Sequence, residues 1–244
     1  LKLRLPMPWR NELKAVTFDV FGTVVDWRSS IAREVDLLAE TNGFSVDGAE
    51  FASAWRALYQ PAMSRVRSGG LPFTPLDVLH RMNLDEVLGQ FGIEELSEPE
   101  KQHLNRAWHR LHPWPDVQGG LARIKSRFII GTLSNGNVSL IVNMAKHAGL
   151  PWDVVLGAEI VGHYKPQPEA YLKSAAVLDL KPAQCMLVAA HNSDLLAAAE
   201  CGFRTGFVPR PVEYGPDQIS DQSPESEFDI VAEDFVDLAA RLGC

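Results

Sequence analysis

The sequence predicts an α/β protein, a doubly wound Rossmann-like parallel sheet core carrying an inserted helical cap domain. Short apolar runs rich in β-branched residues recur along the chain, and helix-like stretches separate the later ones. Between the first and second runs lies a long segment with helical periodicity and no strand in it. Near-continuous hydrophobicity suits strands buried on both faces of a parallel sheet. Regular alternation of strand and helix then places ligands at the carboxyl ends of the strands.

In chain order, "LKLRLPMPWRNE" (residues 1–12) mixes charge with proline and is expected to be a loosely held extension rather than a signal peptide. "LKAVTFDV" (13–20) reads as the first strand. "SSIAREVDLLAETNGF", "DGAEFASAWRALYQPAMSRVRSG", "TPLDVLHRMNLDEVLGQFG" and "SEPEKQHLNRAWHRLH" follow with helical spacing, which sets the cap at residues 28–112. The two prolines of "HPWPD" (112–116) stop any helix, so the core comprises residues 13–27 and 113–244. "RFIIGTLS" (127–134), "DVVLGAEI" (153–160), "CMLVAA" (185–190) and "RTGFVPR" (204–210) read as further strands. Between them "NVSLIVNMAKHAGL", "QPEAYLKSAAVLDL" and "SDLLAAAECG" read as helices, the first ending near Gly149 and the last closed by Gly202. "PRPVEYGPDQISDQSPESE" is rich in proline, serine and acid, which predicts a surface loop before a last short strand and helix.

With 244 residues, 46% of them hydrophobic and 22% charged, the chain can fill a substantial core. Its net charge of −8 and lack of any basic block make nucleic acid and anionic membrane poor partners. No run approaches transmembrane length. Cys185, Cys201 and Cys244 are widely spaced and form no CxxC pair, so neither a disulfide framework nor a zinc site is implied, and a reducing cytoplasm is the expected location.

Four elements fall at the ends of predicted strands: "DVFGT" (19–23), "SN" (134–135), "YKP" (164–166) and "AAHNSD" (189–194). A carboxylate at Asp19 could attack carbon or phosphorus and become a covalent intermediate, or it could merely cap its own loop. Gly22 would let that loop turn tightly, and Thr23 could donate to the carboxylate or simply steady the loop. Phe21 cannot donate a proton, which suits a leaving group such as halide that departs unprotonated. Magnesium demands hard oxygen ligands, and Ala189 and Ala190 offer none.

These four elements, in this order and with a helical insert after the first, resemble the haloacid dehalogenase superfamily over nearly the whole chain from about residue 13. The resemblance is strongest to the L-2-haloacid dehalogenases. It implies that Asp19 is the nucleophile. Phosphatases of the superfamily usually carry an aspartate where this chain has Phe21 and "GD" where it has Ala189 and Ala190, so the sequence is hard to reconcile with phosphoryl transfer. The resemblance further implies that Arg56, in "AWRALY", holds the departing halide or the substrate carboxylate, while Trp55 belongs to the core. Ser134 is expected to bind the substrate carboxylate and Asn135 to face the halide, although Ser-Asn-Gly is also an ordinary turn. Lys165 is expected to keep the nucleophile ionised and Asp194 to orient that lysine. Tyr171 matches an active-site tyrosine, or packs on its helix. His191 departs from the usual asparagine, leaving it either a base for the attacking water or a loop histidine without catalytic duty. Ser193 stands where an aromatic residue is common, and Ala189 where a serine is. The implied reaction converts short 2-haloalkanoic acids to 2-hydroxy acids through an Asp19 ester, with no cofactor and no metal. The implied partners are a small haloacid substrate and, at most, a second copy of the chain as a homodimer. Two alternatives remain: a magnesium-dependent small-molecule phosphatase of the same superfamily, and a non-catalytic carboxylate-binding relative.

Overall fold

The computed structural model describes residues 8–244. Most of the expected N-terminal extension lies outside these residues. Its last part, Pro8–Asn11, forms a short 3-10 turn from which Trp9 packs against the core. Strand β1 (Ala15–Phe18) leads to the Asp19 loop, and β2 (Val25–Asp26) enters a helical insert. The insert comprises α1 (Trp27–Asn42), α2 (Gly48–Ala57), α3 (Tyr59–Arg67), α4 (Leu76–Gln90) and α5 (Glu98–Asn105), followed by a 3-10 segment over Arg106–Arg110. The chain returns through β3 (His112–Pro113) and α6 (Val117–Lys125). Next come β4 (Ile129–Ser134), α7 (Val138–Ala148), β5 (Val154–Gly157), the single turn α8 (Ala158–Val161) and α9 (Pro168–Val177). The remainder is β6 (Cys185–Ala189), α10 (Asn192–Glu200), β7 (Arg204–Phe207), β8 (Ile230–Val231) and α11 (Phe235–Leu242).

Six of the strands form one sheet in the order β5-β4-β1-β6-β7-β8, with every neighbouring pair parallel. Side-chain alternation divides its two faces. Val16, Phe18, Met186 and Val188 join a core with Leu121, Ile124, Ile141, Met144 and Phe235 from α6, α7 and α11. Ala15, Cys185, Leu187 and Ala189 face the other way, onto Tyr171, Ala175, Leu195 and Ala198 of α9 and α10. Helices therefore cover both faces, which is why the strands read as unbroken apolar runs. Central β1, with β6 and β4 on either side, delivers Asp19 to the carboxyl edge of the sheet.

Three local features differ from the sequence reading. The second insert segment breaks at Leu58, because Pro61 cannot donate to the Ala57 carbonyl and its ring would clash there; α2 accordingly stops at Ala57. "DVVLGAEI" is strand only to Gly157, whose φ is +141°; a Cβ there would lie 1.9 Å from the Ser134 carbonyl oxygen, and the chain then turns into α8. Finally, β2 and β3 pair antiparallel at the stalk of the insert, joining Val25 to Pro113 and Asp26 to His112. Two-residue strands leave no periodicity to read. The three cysteines are unpaired, and among the described residues no helix is long and apolar enough to cross a membrane.

Candidate active site

A cavity of about 420 Å³ opens between the sheet edge and the insert, lined by Asp19, Phe21, Asn135, Lys165, Tyr171, His191 and Asp194 from the core and by Arg56 and Tyr59 from the insert, among others. The sequence elements that predicted chemistry thus converge, apart from Ser134 and Thr23, which do not line the cavity. Ser134 was expected at the substrate carboxylate, but it is fully buried at the end of β4, where its Oγ accepts the Gly136 N–H at 3.1 Å. Its hydroxyl stabilises the turn, as Ser-Asn-Gly chemistry allows.

Asp19 is held through both carboxylate oxygens. Lys165 Nζ donates to Oδ1 at 2.9 Å. Thr23 Oγ1 donates to Oδ2 at 2.8 Å, while accepting the Ala190 N–H at 2.9 Å, so the threonine ties β1's loop to the end of β6. His191 Nδ1 also faces Oδ2, at 3.2 Å. Burial alone would raise the Asp19 pKa, but Lys165 and His191 outweigh it and hold the carboxyl well below the ordinary carboxylate range. Asp19 is therefore an ionised, desolvated carboxylate flanked by two cations.

Lys165 is positioned from several directions. Its backbone N–H donates to Asn135 Oδ1 at 2.8 Å, and its carbonyl accepts from Arg67 Nη1 of α3 at 3.1 Å. Asn135 thus fixes the lysine loop, and the insert reaches the core beside the cavity. Lys165 Nζ also pairs with Asp194 Oδ2, and Asp194 Oδ1 accepts from Tyr171 Oη at 2.7 Å. Burial would lower the lysine pKa, yet Asp19 and Asp194 raise it above its usual value. Tyr171 is raised as well, by burial first and then by Asp194, so it remains a donor.

The expectation that His191 serves as a base conflicts with its surroundings. Nδ1 faces Asp19, and Nε2 lies 2.8 Å from Glu213 Oε2. A neutral imidazole would direct one lone pair at a carboxylate, whereas the imidazolium donates to both. Burial opposes the charge, but Glu213 and Asp19 prevail and raise the pKa well above the ordinary histidine value. Neither nitrogen is left to accept a proton from water.

Glu213 was not identified from the sequence. It sits in the proline- and acid-rich loop, only 1% exposed, and its Oε1 accepts from Trp27 Nε1 at 2.9 Å. Gly22, with φ of +89°, makes room for it, since a Cβ at residue 22 would lie 2.0 Å from Glu213 Oε1. The same loop bonds to α10 through Asp221 Oδ1, which accepts from the Asn192 backbone N–H at 2.8 Å. Composition gave no signal for either acid beyond the tight-turn requirement at Gly22. Arg210, also unanticipated, is buried; its Nε donates to the Thr23 carbonyl at 2.9 Å while its two terminal nitrogens grip Asp116.

Above this charged floor lies an aromatic wall. Phe21 is 2% exposed and packs edge-on to Tyr59, His80 and Trp108. The Arg56 guanidinium carbon lies 3.9 Å from the Tyr59 ring centroid and 5.4 Å from that of Trp27, and Arg56 Nη1 is buried with no hydrogen-bond partner. That unpartnered donor, desolvated beside aromatic faces, suits an anion. Trp55 is core, as expected, with its indole N–H on the His80 carbonyl at 3.0 Å. Burial lowers His80 to about 3, so it is neutral.

Known proteins resemble this chain in sequence and in fold. The sequence pattern of haloacid dehalogenase-like hydrolases matches residues 13–202. The crystal structure of the defluorinating L-2-haloacid dehalogenase Rha0230 is similar over 95% of this chain and 96% of that one, with 52% identity and a TM-score of 0.94. That of the L-2-haloacid dehalogenase PA0810 is 45% identical with a TM-score of 0.92, covering 95% of this chain and 99% of that one. The (S)-2-haloacid dehalogenase 1 of Pseudomonas sp. (strain CBS-3) is 28% identical over 213 residues, 84% of this chain and 89% of its own.

Proposed function

The chain belongs to the haloacid dehalogenase-like hydrolases, and from that premise we propose that it hydrolyses the carbon–halogen bond of short L-2-haloalkanoic acids through an ester on Asp19, without a metal ion. The observation that carries this reading is an ionised Asp19 between two cations, facing a cavity whose residue 21 is an aromatic ring. Such a carboxylate is a nucleophile, and a site without a proton donor at Phe21 favours a leaving group that needs none. The similarity to L-2-haloacid dehalogenases points the same way.

In this reading the core domain (residues 13–27 and 113–244) supplies the reacting groups and the cap domain (28–112) supplies Arg56. Asp19 attacks the halogen-bearing carbon from behind, inverting it. Arg56, Asn135 and the Phe21 wall receive the halide. Lys165, oriented by Asp194 and Tyr171, holds Asp19 ionised, and a water positioned by Asp194 then attacks the acyl carbon of the ester. Seclusion beneath the cap strengthens the ionic contacts. Metal independence is supported by the donor set: Asp19 Oδ1 bonds Lys165, Oδ2 bonds Thr23 and faces His191, and the side chain of Ala190 offers no oxygen. A magnesium ion, which requires near-octahedral oxygen ligands, would have to displace an ion pair.

The test is halide release from each enantiomer of 2-chloropropionate with a chelator present. Release from the L enantiomer alone, unaffected by chelator and abolished in Asp19→Asn, is the expected result. Release from the D enantiomer alone would overturn the assignment.

A further inference from the structure

We propose that His191, kept cationic by the positioning residue Glu213, forms with Thr23 the oxyanion site for hydrolysis of the Asp19 ester. The inference rests on the dehalogenase reading and assigns its second half-reaction.

The two oxygens of Asp19 are not equivalent. Oδ2 has two donor groups beside it, Thr23 Oγ1, which donates at 2.8 Å, and His191 Nδ1, which lies 3.2 Å away as an ion-pair partner. Oδ1 bonds only Lys165 Nζ at 2.9 Å and keeps a lone pair for attack. Oδ1 therefore becomes the ester oxygen and Oδ2 its carbonyl oxygen. When water bonds to Cγ, its proton passes to Asp194 and the carbonyl π pair moves onto Oδ2. That developing charge meets a hydroxyl and an imidazolium already in place. On collapse the carbonyl re-forms, the Cγ–Oδ1 bond breaks, and the departing 2-alkoxide takes the proton back from Asp194. The product hydroxyl is then the old Oδ1, and Asp19, re-formed as a carboxylic acid that carries the water oxygen, releases the second water proton to solvent and is a carboxylate again.

Glu213 explains how the cation survives the first step. Esterification removes the negative charge of Asp19, which is one of the two carboxylates facing His191. Glu213, buried and 2.8 Å from Nε2, is the other, and Trp27 and the Cβ-free Gly22 hold it there. Other charged or titratable groups lining the same cavity are Lys165 and Asp194, which pair with each other, Asp221, Arg56, Arg67, Tyr59, Tyr171 and Tyr214.

Glu213→Gln tests the charge with little change of shape. Its amide can keep the Trp27 bond and donate to Nε2, leaving His191 neutral with Nδ1–H still on Asp19. The expected result is a pre-steady-state burst of about one halide per chain at close to the wild-type rate, then steady turnover slowed on the order of 10²-fold. Asp19 ester should accumulate, visible in the mass of its peptide. Slow turnover without accumulated ester, or turnover within a few-fold of wild type, would overturn the proposal. The imidazole nitrogen NMR shifts of wild-type His191 give a second measurement, independent of how well the variant folds. Both nitrogens should be protonated at pH 8, and a neutral ring would refute the assignment. Absence of any Asp19 ester in a wild-type single turnover would instead sink the underlying dehalogenase reading.

Discussion

Replacing Lys165 with methionine removes the cation that Asp19 and Asp194 share. The side chains of Lys165 and Asp19 are 7% and 10% exposed and their charges lie 2.9 Å apart. At an effective dielectric of about 20 that separation corresponds to about 6 kcal/mol of attraction, and after desolvation, breaking such a buried pair typically costs about 3–5 kcal/mol. The variant can relieve the cost by binding a proton. An opposite charge at this range moves a carboxyl pKa by about 1–3 units, so Asp19 ionisation should shift upward by about that amount while His191 still opposes the shift. The sign follows from the depressed pKa of Asp19 in the folded protein. In the wild type, the stabilisation from ionised Asp19 is present above the ordinary carboxyl value and lost only as pH falls through the depressed one. Wild-type halide release should therefore be free of an Asp19 limb above about pH 4. Lys165→Met should move that acid limb upward toward the ordinary carboxyl range, with a lower plateau, when kcat/KM is measured against pH. An unchanged profile with full activity would refute the view that Lys165 sets the charge of Asp19.

Gly22→Ala should lower thermal stability by at least about 1–2 kcal/mol from its positive φ alone. It should also reduce halide release by pushing Glu213 away from His191; an unaltered unfolding temperature would contradict the tight approach of these two segments. Arg56→Lys should lower kcat/KM about 30-fold, the equivalent of about 2 kcal/mol for a desolvated cation over an aromatic face, because an ammonium cannot stack as the planar guanidinium does on Tyr59. Wild-type kinetics in that variant would remove Arg56 from the anion site.

The core of the fold was legible because a parallel sheet covered on both faces writes itself as apolar runs, and β1, β4, β5, β6 and β7 were all visible that way. Asp19, Phe21, Asn135, Lys165, His191 and Asp194 were legible as candidates because each follows one of those runs, and topology alone brings strand ends together. The missing parts were those whose meaning depends on a distant partner. Glu213 and Asp221 lie in a loop whose composition signals only solvent exposure, yet Glu213 is buried because Gly22, Trp27 and His191 receive it. His191 as an imidazolium could not be read without Glu213, since a lone histidine near Asp19 is equally compatible with a base. Ser134 matched by position, but its burial at the end of β4 depends on packing against Gly157 of β5, which no local pattern records.

In the proposed reaction an Asp19 oxygen, rather than a water oxygen, forms the new bond to the substrate carbon. A single turnover in heavy-oxygen water with enzyme in excess tests it directly. The 2-hydroxy acid should carry no label and the Asp19 carboxylate should carry the heavy oxygen; labelled product with unlabelled protein would rule out the ester.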